Sequence, residues 1–358
     1  MKLLYVTDRL SHRGGAPNHL LDLMAAMVAD HSVTVAAADK DHDVALPEGV
    51  HFVRCRGLRH SRAHAGGLSK MPDLLADADI AHVQNVMNPA ALDLICGPRA
   101  VVTVQDHRVF CPGPGKTLPS DEACTQPMSA LQCDACIPDS EHRAEMLALT
   151  RARLEAIQGA ARVVVLSAYM AEALAQVGLS GAAIVPPPVA PQPPKTEPGH
   201  HFLLAGRLVH HKGTDIAIQA FARARPDCDL RVAGLGSETL GGATALGWLD
   251  RGSLRAELRK ARALLFPARW QEPFGIVGVE ALAVGTPVIA MSRGGMESWT
   301  DAGTMVVDGA EQMADAITRL SKDARLAQTL GEAGRVMVTE RFSPALHSAK
   351  LKALYDGI

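Results

Sequence analysis

Aromatic side chains are scarce in this 358-residue chain, at 4% of the total. Few rings mean few platforms for stacking bases, which counts against a single-strand nucleic-acid binder, and they leave the core to aliphatic residues. Charge of one sign is lacking too. Lys and Arg number 36 against 38 Asp and Glu, so the net charge of −2 gives no global field to draw the protein onto nucleic acid. No run of about 20 uninterrupted apolar residues occurs, which excludes a spanning helix. The apolar stretch from Lys2 to Thr7 is too short for a signal-peptide core and is closed by Asp8 and Arg9, so a cytoplasmic location is expected. Cysteine is sparse, at 7 residues, and four of these crowd between 111 and 136, unlike a disulfide framework.

What is present is an ordinary folding composition, 47% hydrophobic and 21% charged, with length enough for two domains. Short apolar runs alternate with longer amphipathic stretches, the pattern of strand-helix units around a parallel sheet. Strands are predicted at Lys2–Thr7, Val33–Ala37, Ile80–Val83, Ala100–Val104 and Arg162–Leu166, the last followed by Ser167 as a helix N-cap. Between Pro186 and Gly199 half of the residues are proline, a semi-rigid connector. Beyond it the rhythm restarts, with strands at His201–Ala205, Asp229–Ala233, Ala263–Phe266 and Pro287–Ala290. The division read from this is a first domain over 1–185, a linker over 186–199, a second domain over 200–341 and a terminal helix over 342–358. The fold class is α/β, two doubly wound Rossmann-like domains facing a central cleft.

Two local patterns carry chemistry. Gly206-Arg207 ends a strand and Lys212-Gly213 precedes a helix, which places two cations beside a helix N-terminus at the carboxyl edge of a sheet. That arrangement suits a diphosphate, Arg gripping oxygens bidentately and Lys adding a compact charge; an ordinary turn with solvated basic residues fits the spacing equally. The second pattern runs from Glu272 through Pro273, Phe274, Gly275, Ile276, Val277 and Gly278 to Glu280, one acid in a loop and one in the first turns of a helix. Carboxylates accept from vicinal sugar hydroxyls, and Phe274 and Gly275 offer backbone N–H groups. Alternatively Glu280 only complements the helix dipole and Glu272 lies on the surface. An early Gly14-Gly15 loop permits close backbone approach to a ligand, or makes a plain turn, and His19 lies one helical turn later. Asp77-Ala-Asp79 and Asp227-Cys-Asp229 have the spacing of metal-dependent transferases but read as solvated or capping acids at strand edges.

Gly206-Arg207-Leu208 with Lys212-Gly213, Glu272 through Glu280, and Gly285-Thr286-Pro287-Val288-Ile289-Ala290 closely resemble the family 4 glycosyltransferases of GT-B fold, and Arg13-Gly14-Gly15 resembles that family's glycine loop. The resemblance covers nearly the whole chain. It implies retaining transfer of a sugar from a nucleotide diphosphate donor to a glycan, lipid or small-metabolite hydroxyl. Glu272 would then contact the donor sugar, Glu280 the ribose, and Arg207 and Lys212 the diphosphate. No catalytic divalent metal is expected, because the two cations and helix N-termini neutralise the leaving group. The terminal helix is expected back on the first domain. Other readings of the same fold are a nucleotide-sugar epimerase, a phosphorylase lacking its pyridoxal lysine signal, and a catalytically silent sugar-nucleotide sensor. Donor base and sugar are unread, UDP-hexose being the common case, with Gly247-Trp248 either near the base or in the core.

One residue departs from the family pattern, and two further features stand beside it. Counting back from Cys111-Pro112, Gln105 stands where relatives carry a His before Asp106; it can hydrogen-bond a sugar hydroxyl but cannot take a proton, and His107 is a weaker substitute. Cys111, Cys124, Cys133 and Cys136 follow as C-x12-C-x8-C-x2-C, a spacing that suits structural zinc and equally admits two disulfides, free thiols or an iron–sulfur cluster. From His51 to Pro72 the bases Arg54, Arg56, Arg59, Arg62 and Lys70 occur without an acid, which suits an anionic acceptor or peripheral membrane contact, or a solvated loop.

Overall fold

The computed structural model describes residues 1–197 and 199–358, so residue 198 of the expected linker lies outside the described residues. The chain divides into two compact units, Met1–Pro187 with Ala345–Ile358, and Pro188–Pro344. The break falls inside the proline run, and the terminal segment belongs to the first unit.

Unit 1 holds strands β1 (Lys2–Leu10), β2 (Ser32–Lys40), β3 (Val50–Arg54), β4 (Ile80–Gln84), β5 (Ala100–Val104), β6 (Arg162–Val165) and β7 (Ala183–Ile184), all parallel, in the order β3-β2-β1-β4-β5-β6-β7. Its helices are α1 (Gly15–Met27), α2 (Met71–Asp77), α3 (Pro89–Ile95), α4 (Ser140–Gln158) and α5 (Ala168–Ala175). Side chains of a strand alternate between faces, and both faces here are covered. Leu4 and Val6 of β1 enter one apolar cluster with Val83, Val102 and Ile157, while Leu3 and Tyr5 enter another with Val33, Val35 and Met24. Ser167 caps α5 as expected, its Oγ accepting from the Met170 N–H.

Unit 2 holds β8 (His201–Ala205), β9 (Asp229–Ala233), β10 (Thr244–Gly247), β11 (Ala261–Phe266), β12 (Val288–Ala290) and β13 (Thr304–Val306), parallel in the order β10-β9-β8-β11-β12-β13. Its helices are α6 (Thr214–Ala224), α7 (Arg251–Lys260), α8 (Ile276–Ala283), α9 (Ala310–Lys322) and α10 (Ala324–Arg341); α11 (Pro344–Asp356) returns the chain to unit 1. Among the described residues no helix is long and apolar enough to cross a membrane.

The predicted strands are all present, and the differences lie at the edges. β3 is half exposed and carries charge, and β10 is short and exposed, so neither shows the apolar run of an inner strand. The unpredicted α4 is charged over most of its surface. Its apolar stripe is only Leu147, Leu154, Ala156 and Ile157, and within it Arg153 is buried, donating to the carbonyls of Met87, Arg108 and Ser61 at 2.9, 3.2 and 2.5 Å.

α11 is fastened by buried polar groups as well as by Leu351. Tyr355 Oη lies 2.6 Å from His82 Nδ1 and 3.3 Å from Tyr5 Oη, and His82 Nε2 lies 2.6 Å from Thr103 Oγ1. Burial pushes the His82 imidazole down to about 3, and that of His347 in α11 to about 4. The unfolded chain takes protons on these rings near the ordinary 6.5, so unfolding binds protons that the native state refuses. Stability is therefore expected to fall as pH drops from 7 to about 5.2, above the range where carboxylates titrate. Urea midpoints at the two pH values measure this, and equal midpoints would refute the neutral, buried state of these rings.

Candidate active site

In a doubly wound parallel sheet, loops open a crevice where strand order reverses direction. In unit 2 the reversal lies between β8 and β11, because the chain runs β8, β9, β10 to one side and β11, β12, β13 to the other. Gly206 and Arg207 follow β8, and the loop bearing Glu272 follows β11, so topology brings the two sequence patterns to one spot. A short 3-10 turn, His210–Lys212, leads into α6, whose N-cap is Gly213 in the left-handed region at φ 71. A Cβ there would stand 2.0 Å from the Pro267 carbonyl oxygen, so only glycine lets the N-terminus of α6 approach the β11 loop this closely.

Across that approach Lys212 Nζ forms an ion pair with Glu272 Oε1, the carboxylate side chain only 5% exposed. Lys212 Nζ also lies 4.6 Å from the centre of the Trp270 ring, a cation–π contact. Trp270 in turn packs on His211 at 5.0 Å between ring centres, and burial, then the Lys212 and Arg207 charges, push the His211 imidazole down to about 4. Arg207 is exposed and makes no ion pair among the described residues. The Glu272 backbone is held by an isolated bridge to Gly294 and by the Gly295 N–H donating to its carbonyl at 2.7 Å.

Glu280 lies in α8, where Arg251 Nε of α7 donates to its Oε1 at 3.2 Å. The plain role of dipole complement is thus insufficient, because a cation from a separate helix engages it. Phe274 is buried, its carbonyl accepting from Trp299 Nε1 at 2.6 Å; Gly275 is the N-cap of α8, and Ile276 and Val277 form its first turn. Asp215 in the first turn of α6 takes Arg269 at 2.5 Å. Sequence reasoning missed Trp270, Arg251 and Arg269, whose partners lie 29 to 59 positions away and leave no local signal. Trp248 is 40% exposed, outside the core.

In unit 1 the reversal lies between β1 and β4. Gly14, at φ 110, is the N-cap of α1 and Gly15 its first residue. Gln105 ends β5 in a buried position, donating from Nε2 to Gln84 Oε1 at 3.1 Å. Asp106 caps the following turn and pairs with Arg108 at 2.5 Å; burial opposes its ionisation, but Arg108 outweighs this and holds the carboxyl below the usual range. His107 is packed on Phe110 with Nε2 3.1 Å from Tyr169 Oη, so it is engaged in the core and does not replace the absent His.

The four clustered cysteines are free thiols, one of the readings their spacing admits. All seven cysteines are free, and no three of His, Cys, Asp or Glu are grouped to hold a metal among the described residues. The thiols of Cys111, Cys124, Cys133 and Cys136 do share one loop, where burial and neighbouring thiols push Cys133 and Cys136 upward. Local backbone engages them instead: the Lys116 N–H donates to Cys111 Sγ at 3.3 Å, Cys136 Sγ reaches the Thr117 carbonyl at 3.8 Å and Cys124 Sγ that of Gln126 at 3.8 Å. The basic stretch is likewise less bare than expected. Parallel pairing of β2 with β3 brings Asp39 to Arg54 and Arg59, at 2.6 and 2.9 Å, and Arg62 meets Glu145 at 2.7 Å. The acids absent in sequence are supplied in space, which weakens the patch as a membrane or anion site. Asp77 and Asp79 likewise bind Lys2, as side-chain pair and backbone cap at 2.5 and 2.7 Å.

Two parallel-sheet Rossmann-like units are the architecture of the GT-B glycosyltransferases. Residues 13–192 match the family model "Glycosyltransferase Family 4" and residues 189–337 the model "Glycosyl transferases group 1", and the chain belongs to glycosyltransferase family 4. It is 32% identical over 174 residues to a glycogen synthase of Mycobacterium tuberculosis, covering 43% of this chain and 42% of that protein. It is 32% identical over 164 residues to a D-inositol 3-phosphate glycosyltransferase of Pseudarthrobacter chlorophenolicus, 39% of each. These matches span about two fifths of the relatives' length. Among solved structures, a sucrose-phosphate synthase of Thermosynechococcus elongatus superposes with TM-score 0.72 at 19% identity over 99% of this chain and 98% of that one. Anabaena HepE in complex with UDP-glucose superposes with TM-score 0.72 at 16% identity, both chains covered fully at 100%.

The close approach at Gly213 is directly testable. Gly213→Ala must move the Pro267 carbonyl and adopt a strained backbone, an expected loss of about 1–3 kcal/mol. Urea unfolding measures it, and an unchanged midpoint would show that α6 and the Glu272 loop do not depend on this contact.

Proposed function

We propose that this glycosyltransferase takes a sugar from a nucleotide diphosphate donor, a UDP-hexose in the simplest case, and passes it with retention to a hydroxyl of a glycan, lipid or small metabolite. The observation that carries this reading is the Lys212–Glu272 pair at the N-terminus of α6, with exposed Arg207 beside it. A diphosphate arriving there meets two cations and the positive end of a helix dipole, which stabilise charge as it develops on the leaving group. These supply the charge that a divalent metal supplies elsewhere. The Glu272 carboxylate, fixed by Lys212, accepts from hydroxyls of the sugar attached to that diphosphate. Glu280, fixed by Arg251, accepts from the ribose. Gln105 offers an amide to a substrate hydroxyl and has no proton chemistry, so the base in a retaining transfer is assigned to a donor phosphate oxygen. HepE, solved with UDP-glucose, is consistent with a sugar nucleotide as donor on this architecture.

The test is release of nucleoside diphosphate from UDP-glucose, GDP-mannose and ADP-glucose without acceptor, water being the competing nucleophile. One donor should be consumed slowly by the native protein; binding without consumption would make it a sensor. Lys212→Ala removes a charge-assisted contact of about 1.5–3 kcal/mol, so a rate loss on the order of tenfold to a hundredfold is expected. Undiminished turnover would sink the diphosphate assignment. Glu272→Ala should impair release while sparing affinity for the bare nucleotide, whereas Glu280→Ala should weaken both; the opposite ranking would exchange their roles.

A further inference from the structure

A directed chain of hydrogen bonds runs through the interior of unit 1. Gln105 Nε2 lies 2.8 Å from His19 Nδ1 in α1; His19 Nε2 lies 3.3 Å from His347 Nε2 in α11; His347 Nδ1 lies 2.8 Å from the carbonyl oxygen of Pro186. All three side chains are buried, at 8%, 4% and 5% exposure. Pro186 precedes the point where the chain leaves unit 1, and His347 follows the point where it returns.

One end of this chain settles the rest. A carbonyl oxygen can only accept, so His347 Nδ1 must carry a proton. In the neutral ring His347 Nε2 is then an acceptor, so His19 Nε2 must donate to it. The neutral His19 therefore presents Nδ1 as an acceptor, and Gln105 must turn its NH2, not its carbonyl, toward it. Burial favours the neutral form of His347, and the groups acting on that ring are Lys350 of its own helix and Asp22 of α1, with His82 of β4 also within electrostatic reach. The second Gln105 N–H goes to Gln84 Oε1. Two buried polar atoms are left without partners among the described residues, Gln105 Oε1 and Gln84 Nε2, on the two amides joined by that bond. A buried orphan acceptor and donor are costly, and a hydroxyl, which both donates and accepts, answers both.

We propose that His19 and His347 are positioning residues, holding the Gln105 amide so that its Oε1, together with Gln84 Nε2, receives a substrate hydroxyl. The nature of the substrate rests on the glycosyltransferase reading; the chain of donors does not. Reversing any member reverses Gln105, which would then offer the hydroxyl a donor where an acceptor is needed.

Two measurements on the full-length protein decide this. Long-range proton–nitrogen NMR of the [15N]histidine protein at pH 7.5, assigned by His19→Asn and His347→Asn, should show His347 as the neutral Nδ1–H tautomer and His19 as the neutral Nε2–H tautomer. The opposite tautomer or a cation at either ring would overturn the proposal, whether or not a donor sugar has been found. For the donor that the native protein consumes, His19→Leu should lower nucleoside diphosphate release at least about tenfold while UDP affinity, measured calorimetrically, stays within about twofold. His19→Asn, whose Oδ1 can replace Nδ1 as acceptor, should recover most of the rate. Equal loss in both variants, or affinity falling in step with rate, would reduce His19 to a packing residue. Failure of the native protein to consume any sugar nucleotide would count against the glycosyltransferase reaction and leave the tautomers to judge the chain.

Discussion

The constraint on which the rest depends is the reversal of strand order in each parallel sheet. A parallel sheet sends every strand's carboxyl end to one edge, and helices covering both faces must start there with their amide groups unpaired. Where successive connections turn in opposite directions, two such loops diverge and leave room between them. In unit 2 the loops after β8 and β11 flank that gap, and in unit 1 those after β1 and β4 do. Gln105, Arg207, Lys212, Glu272 and Glu280 all stand after a strand's carboxyl end or in the first turns of the helix that follows it.

Within that frame, the Lys212–Glu272 pair solves a problem and creates one. A carboxylate as buried as Glu272 is expensive unless a cation accompanies it, and removing one partner of such a pair typically costs about 3–5 kcal/mol. The pair therefore holds both side chains aimed before any ligand arrives, a form of pre-organisation. On the proposed reading Lys212 is already engaged when a diphosphate enters, and it would serve both groups only because an ammonium has three donors around one compact charge. A guanidinium, planar and already bidentate, would commit to one of them. Arg207, exposed and without an ion pair among the described residues, has the opposite character and on the proposed reading would reach toward phosphate oxygens without giving up such a partner.

How much of this was legible in the sequence depends on the range of the interaction concerned. Inner strands such as β5 and β8 show their bounds directly, because burial on both faces demands a nearly unbroken apolar run. β3 and β10 do not, since an edge strand's pairing is a tertiary fact. The site followed the same rule. Arg207, Lys212, Glu272 and Glu280 were readable because cation, glycine and acid fall within a few residues of a strand end. Arg251 on Glu280, Asp39 on Arg54 and Arg59, and Lys212 on Trp270 were not, because each joins separate elements. The same blindness hid the acids of the basic stretch, which lie on a neighbouring strand and on α4, and left the four cysteines open between a shared centre and free thiols, because spacing says nothing of which way each sulfur turns.

The substitution of Gln105 for histidine looks like a loss when read alone, since an amide cannot shuttle a proton. Two histidines, His19 and His347, stand behind the amide, buried and linked to it. A histidine at position 105 facing His19 would bring a third titratable ring into that interior, where each added proton would be opposed by its neighbours. An amide removes the ambiguity: its two ends are chemically distinct, its charge is fixed at zero, and its orientation is dictated from the far end of the chain by a carbonyl that can only accept. On the proposed reading, the polarity offered to a substrate hydroxyl is thereby set by the Pro186 carbonyl, a group that does not titrate.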